Sequence, residues 1–250
     1  MAKTDLHKIS TLPPKGAEKE AYKTKTKEIL CQLDDYQNLL YAEGRHSVLI
    51  VLQGMDASGK DGLIRDVFTY MNPQGISVQS FKVPTEEELG HDFLWRIHKH
   101  APAKGMIQVF NRSHYEDVLV VRVHGQVSDE LAQGRMKAIN NFERMLTEHN
   151  NTHILKFYLH VSAEEQEGRL KERMVNEQKM WKYNANDFNE AKLRNEYIKY
   201  YNEVFNTCNE VPWNIVPADK NWYKEYVVAE TLLNLFKSLN MKYPVLKDHK

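Results

Sequence analysis

Cysteine is scarce in this sequence, and its scarcity excludes a small disulfide-stabilised fold. The 250 residues contain two cysteines, Cys31 and Cys208, which cannot build a disulfide framework and have no metal-binding spacing. Long hydrophobic runs are also missing. The longest strongly apolar run, residues 48–52, is too short to cross a bilayer as a helix.

The sequence also lacks an excess of charge of either sign. Thirty-four Lys and Arg balance thirty-four Asp and Glu, so no net field favours nucleic acid or an anionic membrane as a partner. The first residues carry no apolar segment of the kind found in signal peptides. We therefore expect a reduced, cytoplasmic, globular protein without a nucleic-acid or membrane partner. A polyanionic ligand would have to be met by a local basic cluster.

What the sequence does contain is a regular alternation of apolar strands and amphipathic helices. Apolar runs predict strands, and apolar residues at three- and four-residue spacing predict helices. The predicted strands are residues 47–53, 76–81, 105–111, 153–161 and 214–217. The predicted helices are residues 17–43, 60–70, 86–100, 114–123, 128–149 and 222–239, with a charged helix beginning at residue 163. This order favours an α/β fold in which helices flank a central parallel sheet.

The domain organisation follows from the same pattern. Residues 1–16 are polar and are interrupted by Pro13 and Pro14, so we expect an extended arm. Residues 17–250 are expected to form a single domain, with a helical lid over about residues 164–190. The helix at 17–43 and the arm are available for a subunit interface, and we expect a homo-oligomer.

A glycine-containing loop after the first strand is the strongest chemical signal in the sequence. Residues 54–60 fit the phosphate-loop pattern G-x-x-x-x-G-K between a buried strand and a helix. In such a loop, backbone N–H groups surround a phosphate, the helix N-terminus adds partial positive charge, and the lysine supplies a cation. The alternative is a chance glycine-rich turn. The residues expected to bind phosphate are Gly54, Ala57, Ser58, Gly59, Lys60, Asp61 and Gly62.

Carboxylates inside this loop indicate a divalent cation. Asp56 lies within the loop, and Asp61 stands where the usual loop has Ser or Thr. Two carboxylates would repel a phosphate unless a cation lay between them, so we expect Asp56 to serve Mg²⁺, which prefers oxygen ligands. Asp61 either serves the same ion or is a first-turn helix residue that faces the helix dipole.

A second acidic motif follows the predicted strand at 105–111. Glu116 and Asp117 come shortly after the strand end, near where many phosphate-loop proteins hold Mg²⁺. These two acids can also be interpreted as an ordinary charged helix start. Arg112 and Arg122 flank them and are candidates for bidentate contacts with phosphate oxygens.

Other basic residues are expected at the sheet edge and on the lid. Lys82 follows the second strand, at the edge where open α/β folds bind ligands. Arg169 and Arg173 are four residues apart and share a helix face, which fits a lid that closes over phosphates. The same charges also fit a solvated helix with internal ion pairs, and their pattern alone does not decide.

Four motifs, in order, closely resemble the polyphosphate kinase 2 family. They lie at residues 54–62, 81–96, 111–119 and 211–223, within a resemblance that runs from about residue 27 to the last helix. The resemblance implies a phosphate-loop fold similar to thymidylate kinase. It also implies Mg²⁺-dependent, reversible transfer of the terminal phosphate of inorganic polyphosphate to a nucleotide.

The second motif separates acceptor classes within that family. ADP-only members typically read Asp-Arg-Ser-Trp-Tyr-Asn, whereas residues 111–117 here read Asn-Arg-Ser-His-Tyr-Glu-Asp and resemble the class that phosphorylates both AMP and ADP. Because Asn111 replaces the aspartate, the metal sphere of the ADP-only class does not carry over. The resemblance implies Mg²⁺-linked carboxylates at Asp56 and Asp117, and a part in acceptor choice for Glu116. It implies phosphate contacts at Lys60, Arg112 and Arg122. It also implies phosphate or lid roles for Lys82, Arg169 and Arg173.

Two other functions fit the loop and the lid. One is an ATP-dependent nucleoside monophosphate kinase, which would use two nucleotides and no polyphosphate. The other is a nucleotide-binding switch that barely turns over. Asp56 and Asp117 argue against the switch, because a site that only binds phosphate gains little from added negative charge.

Overall fold

The central sheet is built from short apolar strands. The computed structural model describes residues 3–245. Its strands are β1 (Ser47–Gln53), β2 (Ile76–Ser80), β3 (Ile107–Asn111), β4 (Thr152–His160) and β5 (Trp213–Pro217). All pairings are parallel, and the strand order is β2-β3-β1-β4-β5. Every residue of the central strand β1 is buried, as its nearly continuous apolar sequence requires.

Helices connect the strands and cover both faces of the sheet. In chain order they are α1 (Lys19–Glu43), α2 (Lys60–Phe68), α3 (Glu86–Leu89), α4 (Trp95–His98), α5 (Val120–Val123), α6 (Asp129–Asn150), α7 (Ala163–Val175), α8 (Glu177–Met180), α9 (Asn186–Lys192), α10 (Arg194–Thr207) and α11 (Asn221–Ser238). Short 3₁₀ helices occur at Leu6–Lys8, Pro73–Gly75 and His114–Val118. Within residues 3–245, none of the helices is both long and apolar enough to span a membrane.

Two hydrophobic clusters lie on opposite faces of the sheet. Alternate residues of β1 enter different clusters, with Val48, Ile50 and Leu52 in one and Leu49 and Val51 in the other. This separation follows from the two-residue period of side chains along a strand. The first cluster is covered by α1, α2 and α11, and the second by α6 and α10. The result is the predicted three-layer α/β arrangement with a parallel sheet, which is confirmed.

Two predicted helices are broken in the structure. The helix expected at 86–100 is α3 and α4, because a capping box at Thr85 starts α3 and Gly90 ends it after one turn. The helix expected at 114–123 is a 3₁₀ helix followed by α5. Helix α10, whose buried residues include Ile198, Tyr201 and Phe205, was not predicted.

The N-terminal arm lies against the domain. The backbone N–H groups of Thr4 and Leu6 donate to the side chains of Asn206 and Asn202, both at 2.9 Å, and Leu6 is fully buried. The division into an arm at 1–16 and a single domain at 17–250 stays a prediction. Residues 1–2 and 246–250 of those two ranges lie outside the described residues.

Candidate active site

The phosphate loop connects β1 to α2 at the carboxyl edge of the sheet. Gly59 has a φ of +94°, and a Cβ at this position would collide with Nζ of Lys224, so the loop requires glycine here. Helix α2 begins at the next residue, Lys60, so its first-turn N–H groups lie at the end of the loop. The strand–loop–helix context predicted for this motif is confirmed.

Lys60 is folded back into the loop. Its Nζ donates to the carbonyl oxygens of Gly54 at 2.6 Å and Met55 at 3.2 Å, and to Oγ of Ser58 at 3.4 Å. Burial lowers the pKa of Lys60 to about 8, and the nearby guanidinium of Arg112 acts in the same direction. A phosphate at this place would supply the negative charge that these neutral partners lack.

Two cavities adjoin above the loop. The first has a volume of about 480 Å³ and the second about 310 Å³. Their shared lining residues are Asp56, Val83, Arg112, Asn184 and Asp187. Cationic side chains in the first cavity are those of Lys60, Lys82, Arg112, Arg173 and Lys182. The second cavity is lined by aromatic, apolar and polar side chains that include Tyr197, Tyr201, Val120, Gln166 and Glu116.

Arg112 lies at the boundary between the two cavities and lines both of them. It follows β3, has a φ of +62°, and its Nη2 donates to Oδ1 of Asp56 at 2.6 Å. Its Nη1 lies 3.9 Å from Oε2 of Glu116. Burial acts to lower the pKa of Arg112, but the carboxylates of Glu116 and Asp56 outweigh it and raise that pKa. Arg112 therefore stays charged between Asp56, which lines both cavities, and Glu116, which lines the second.

Glu116 and Asp117 point in different directions although they are adjacent in sequence. Glu116 lines the second cavity, and burial raises the pKa of its carboxyl group against the opposing effect of Arg112. Asp117 lines neither cavity. Its Oδ2 accepts a hydrogen bond from Nη2 of Arg96 at 3.3 Å, and its backbone oxygen accepts one from Arg135 at 2.9 Å.

The structure also separates the predicted arginines. Arg122 is buried and pairs with Asp129 at 2.7 Å and Glu203 at 2.9 Å, away from both cavities. Arg173 lines the first cavity and donates to Oδ2 of Asp187 at 2.6 Å. Thus Arg173 lies beside the phosphate loop, paired with Asp187, whereas Arg122 is paired with residues that line neither cavity.

Arg169 lies behind the loop instead of over it. Its Nη1 donates to the carbonyl oxygens of Ala57 at 3.1 Å and Ser58 at 3.0 Å, and its Nη2 donates to that of Ala218 at 2.8 Å. Because the C=O and N–H of a trans peptide point in opposite directions, holding the Ser58 carbonyl turns the N–H of Gly59 away from Arg169. Arg169 thereby fixes the shape of the loop.

Several residues at the site were missed by the sequence analysis. Lys182 donates to Oδ2 of Asp61 at 2.7 Å, while Asn111 donates to Oδ1 of the same carboxylate at 2.9 Å. Asp187 lines both cavities, and Lys224 is buried beside Gly59. Their spacing carries no motif. For Lys224 the one available signal was its place just after the fourth family motif.

The carboxylates suit a metal ion that is held jointly with phosphates. Among residues 3–245, no cluster of three or more His, Cys, Asp or Glu side chains is arranged to hold a metal by itself. Mg²⁺ in kinase sites is commonly bound through one or two carboxylates together with substrate phosphates. Asp56, which belongs to the loop and lines both cavities, and Glu116, which lines the second cavity, fit that pattern.

A parallel sheet with a phosphate loop at its carboxyl edge, below a cavity lined by cations, is the arrangement of P-loop proteins that bind phosphorylated ligands. A family model described as Polyphosphate kinase 2 (PPK2) matches residues 16–244. The chain therefore belongs to the polyphosphate kinase 2 family, as its motifs predict, and it is a kinase.

Relatives and solved structures agree with this assignment. The chain is 49% identical over 215 residues to the AMP/ADP-polyphosphate phosphotransferase of Meiothermus ruber, covering 85% of this chain and 80% of the relative. It is 40% identical over 257 residues to the ADP-polyphosphate phosphotransferase of Rhodopseudomonas palustris, covering 97% and 89%. The crystal structure of Polyphosphate Kinase 2 from Arthrobacter aurescens TC1 superposes with a TM-score of 0.94 at 38% identity, covering 99% of this chain and 89% of that one.

Proposed function

We propose that this chain transfers the terminal phosphoryl group of inorganic polyphosphate to AMP and to ADP, reversibly, making ADP and ATP. The observation that carries the proposal is the pair of cavities that meet at Asp56 and Arg112 above the phosphate loop. The likeness to the Meiothermus ruber protein, whose name includes both AMP and ADP, supports this choice of acceptors.

The first cavity is proposed to bind the polyphosphate donor. Polyphosphate is a long polyanion, and a protein with no net charge must bind it where cations are locally concentrated. The first cavity has such an excess of cations, because its five cationic side chains face three carboxylates, which leaves Lys60 and Lys82 without an ion-pair partner among the lining residues. The loop itself adds the N-terminus of α2, which favours negative charge.

The second cavity is proposed to bind the acceptor nucleotide. Its volume of about 310 Å³ and its mixed apolar and polar lining suit a ligand with a flat base and a charged end. Tyr197 and Val120 offer apolar surface to the base, while Gln166 and Asn186 offer polar groups. Glu116, which adjoins Arg112, is proposed to influence which acceptor is used.

The proposed reaction asks for positioning and charge neutralisation more than for covalent chemistry. An oxygen of the acceptor phosphate attacks the terminal phosphorus of polyphosphate, the bond from that phosphorus to the bridging oxygen breaks, and the polyphosphate shortens by one unit. Lys60 and Arg112 hold the phosphate oxygens. Mg²⁺, bound through Asp56 and the phosphates, would neutralise charge that develops on them.

Some predicted roles gain no support from geometry. The metal role of Asp117 and the phosphate role of Arg122 stay predictions, because both side chains pair with residues outside the cavities. A homo-oligomer, a cytoplasmic location and the lack of a nucleic-acid or membrane partner also stay predictions.

The test mixes the purified protein with Mg²⁺, long-chain polyphosphate and AMP, without ATP, and follows the nucleotides by chromatography. ADP followed by ATP is expected from the wild type, and neither from Asp56→Asn. Asp35→Asn, an exposed aspartate on α1, is the matched control and should behave as wild type. Product that forms only when ATP is the donor would identify an ATP-dependent nucleoside monophosphate kinase instead.

A further inference from the structure

Gln53 is a buried amide between two walls of the second cavity. It is the last residue of β1, directly before the phosphate loop, and its side chain is fully buried. It lines neither cavity itself. A buried amide is costly unless its donors and acceptor find partners, so the identity of those partners indicates what Gln53 does.

The partners of Gln53 belong to the acceptor side of the site. Its Nε2 donates to Oγ of Ser113 at 3.0 Å, and its Oε1 accepts from the hydroxyl of Tyr201 at 3.2 Å. Burial raises the pKa of the Glu116 carboxyl group, and the amide of Gln53 acts in the opposite direction, so the two side chains are close. Tyr201 and Glu116 are both wall residues of the second cavity, contributed by α10 and by the 3₁₀ helix His114–Val118.

Ser113 extends this connection into the backbone that carries Glu116. The Oγ of Ser113 accepts the N–H of Tyr115 at 3.3 Å, and its carbonyl oxygen accepts the N–H of Glu116 at 3.0 Å. The hydroxyl that Gln53 binds is therefore the N-cap of the 3₁₀ helix. Fixing that hydroxyl fixes the start of the turn that presents Glu116 to the cavity.

The direction of the amide is determined by its neighbours. Because an amide lowers the pKa of a carboxyl group through its N–H donors, the NH₂ group that donates to Ser113 also faces Glu116. The carbonyl oxygen is then left for the donor hydroxyl of Tyr201. A glutamate at position 53 would have nearly the same shape but would present a second acceptor to Glu116.

We propose that Gln53 is a positioning residue for the acceptor nucleotide. Its amide fixes Tyr201 of α10 relative to the 3₁₀ helix that carries Glu116. This inference rests on the proposed function, because it assigns the second cavity to the acceptor. It gives the end of β1 two tasks. The strand leads into the loop that binds the donor, and its last side chain sets the shape of the neighbouring acceptor cavity.

The test is a double-mutant cycle of Gln53→Glu, Glu116→Gln and the double variant, with kcat and KM measured for AMP, ADP and polyphosphate. We expect Gln53→Glu to raise KM for AMP by about tenfold or more, since it replaces the donor to Ser113 with a carboxylate beside Glu116. KM for polyphosphate should change less than about twofold. In the Glu116→Gln background the same substitution should have a much smaller effect. The carboxylate at position 53 then lies beside an amide and not beside a second carboxylate.

Thermal unfolding of the same four proteins gives a readout without turnover. Gln53→Glu should lower the unfolding midpoint in the wild-type background and much less beside Glu116→Gln. The control is Gln37→Glu, which alters a fully buried amide on α1 far from the site and should lower the midpoint equally in both backgrounds.

Additive effects of Gln53→Glu and Glu116→Gln on unfolding would overturn the proposal, as would an equal rise of KM for polyphosphate and AMP. A wild type that transfers nothing from polyphosphate would instead overturn the proposed function. The unfolding cycle would still decide whether Gln53 and Glu116 are coupled.

Discussion

Lys224 is a buried cation behind the phosphate loop, and replacing it with methionine should stabilise the protein. Lys224 lies on α11 and is 1% exposed, and its Nζ donates to Oδ1 of Asn221 at 2.8 Å. Burial lowers the pKa of Lys224 to about 8, and Arg169 acts in the same direction. Below pH 8 the folded protein therefore carries a charge that would be better solvated in the unfolded chain.

The size of this penalty follows from the change in pKa. A fall from 10.5 to about 8 is about 2.5 units, and at 1.36 kcal/mol per unit this is about 3 kcal/mol at pH 7. Losing the hydrogen bond to Asn221 destabilises the variant by about 1 kcal/mol, which offsets part of this gain. Lys224→Met should therefore gain about 2 kcal/mol, which for a chain of this size raises the unfolding midpoint by about 4–8 °C.

The gain should shrink as the pH rises. Between pH 8 and 10.5 the unfolded chain binds the lysine proton and the folded protein releases it, so wild-type stability rises with pH through this group. At pH 9.5 the penalty has fallen to about 1 kcal/mol, which the lost hydrogen bond cancels.

The assay is thermal unfolding of the wild type and Lys224→Met at pH 7 and pH 9.5, in buffers without phosphate. Lys237→Met, which removes an exposed lysine from the same helix, is the matched control and should change the midpoint little. A loss of stability at pH 7, or the same gain at both pH values, would refute the account of Lys224. The variant should also raise KM for polyphosphate, because a cation beside Gly59 has been removed.

The other predictions concern transfer itself. Glu116→Asn should reduce kcat/KM for AMP more than for ADP, and equal losses on both acceptors would remove its assigned part in acceptor choice. Asp117→Asn should lose nearly all transfer, and it should also lower the unfolding midpoint, because buried Arg96 loses its carboxylate partner; near-normal activity would leave Asp117 as a partner of Arg96 alone. KM for long-chain polyphosphate should rise about tenfold or more between roughly 50 and 200 mM salt, because binding to the basic cavity is largely electrostatic, and a salt-independent KM would contradict that view.

Local patterns were sufficient for most of the fold. The run at 47–53 reads as a buried strand because β1 is central and covered on both faces, and the phosphate loop follows it with its glycines and its lysine. Hydrophobic spacing predicted the wrong helix length where capping residues end a helix after one turn. The apolar residues of 86–100 keep a helical spacing, yet Thr85 and Gly90 limit α3 to one turn.

The direction of individual site residues was harder to predict from sequence. The residue pattern alone presents Glu116 and Asp117 as one acidic pair, but a 3₁₀ helix has three residues per turn, so adjacent side chains diverge by about 120°. The four-residue spacing places Arg169 and Arg173 on one helix face, but it does not predict which residues each side chain contacts. Lys224 meets Gly59 because β5 lies beside β4 and the helix that follows it, α11, packs against α2, which begins directly after Gly59; no local pattern reports this.

The most direct test of the central claim follows the phosphoryl group itself. Polyphosphate labelled with ³²P is incubated with unlabelled AMP, Mg²⁺ and the wild-type protein, with Asp56→Asn alongside, and the ADP is isolated. The account predicts label in the β-phosphate of ADP from the wild type and none from Asp56→Asn. Unlabelled ADP, or label that enters ADP only from [γ-³²P]ATP, would contradict it.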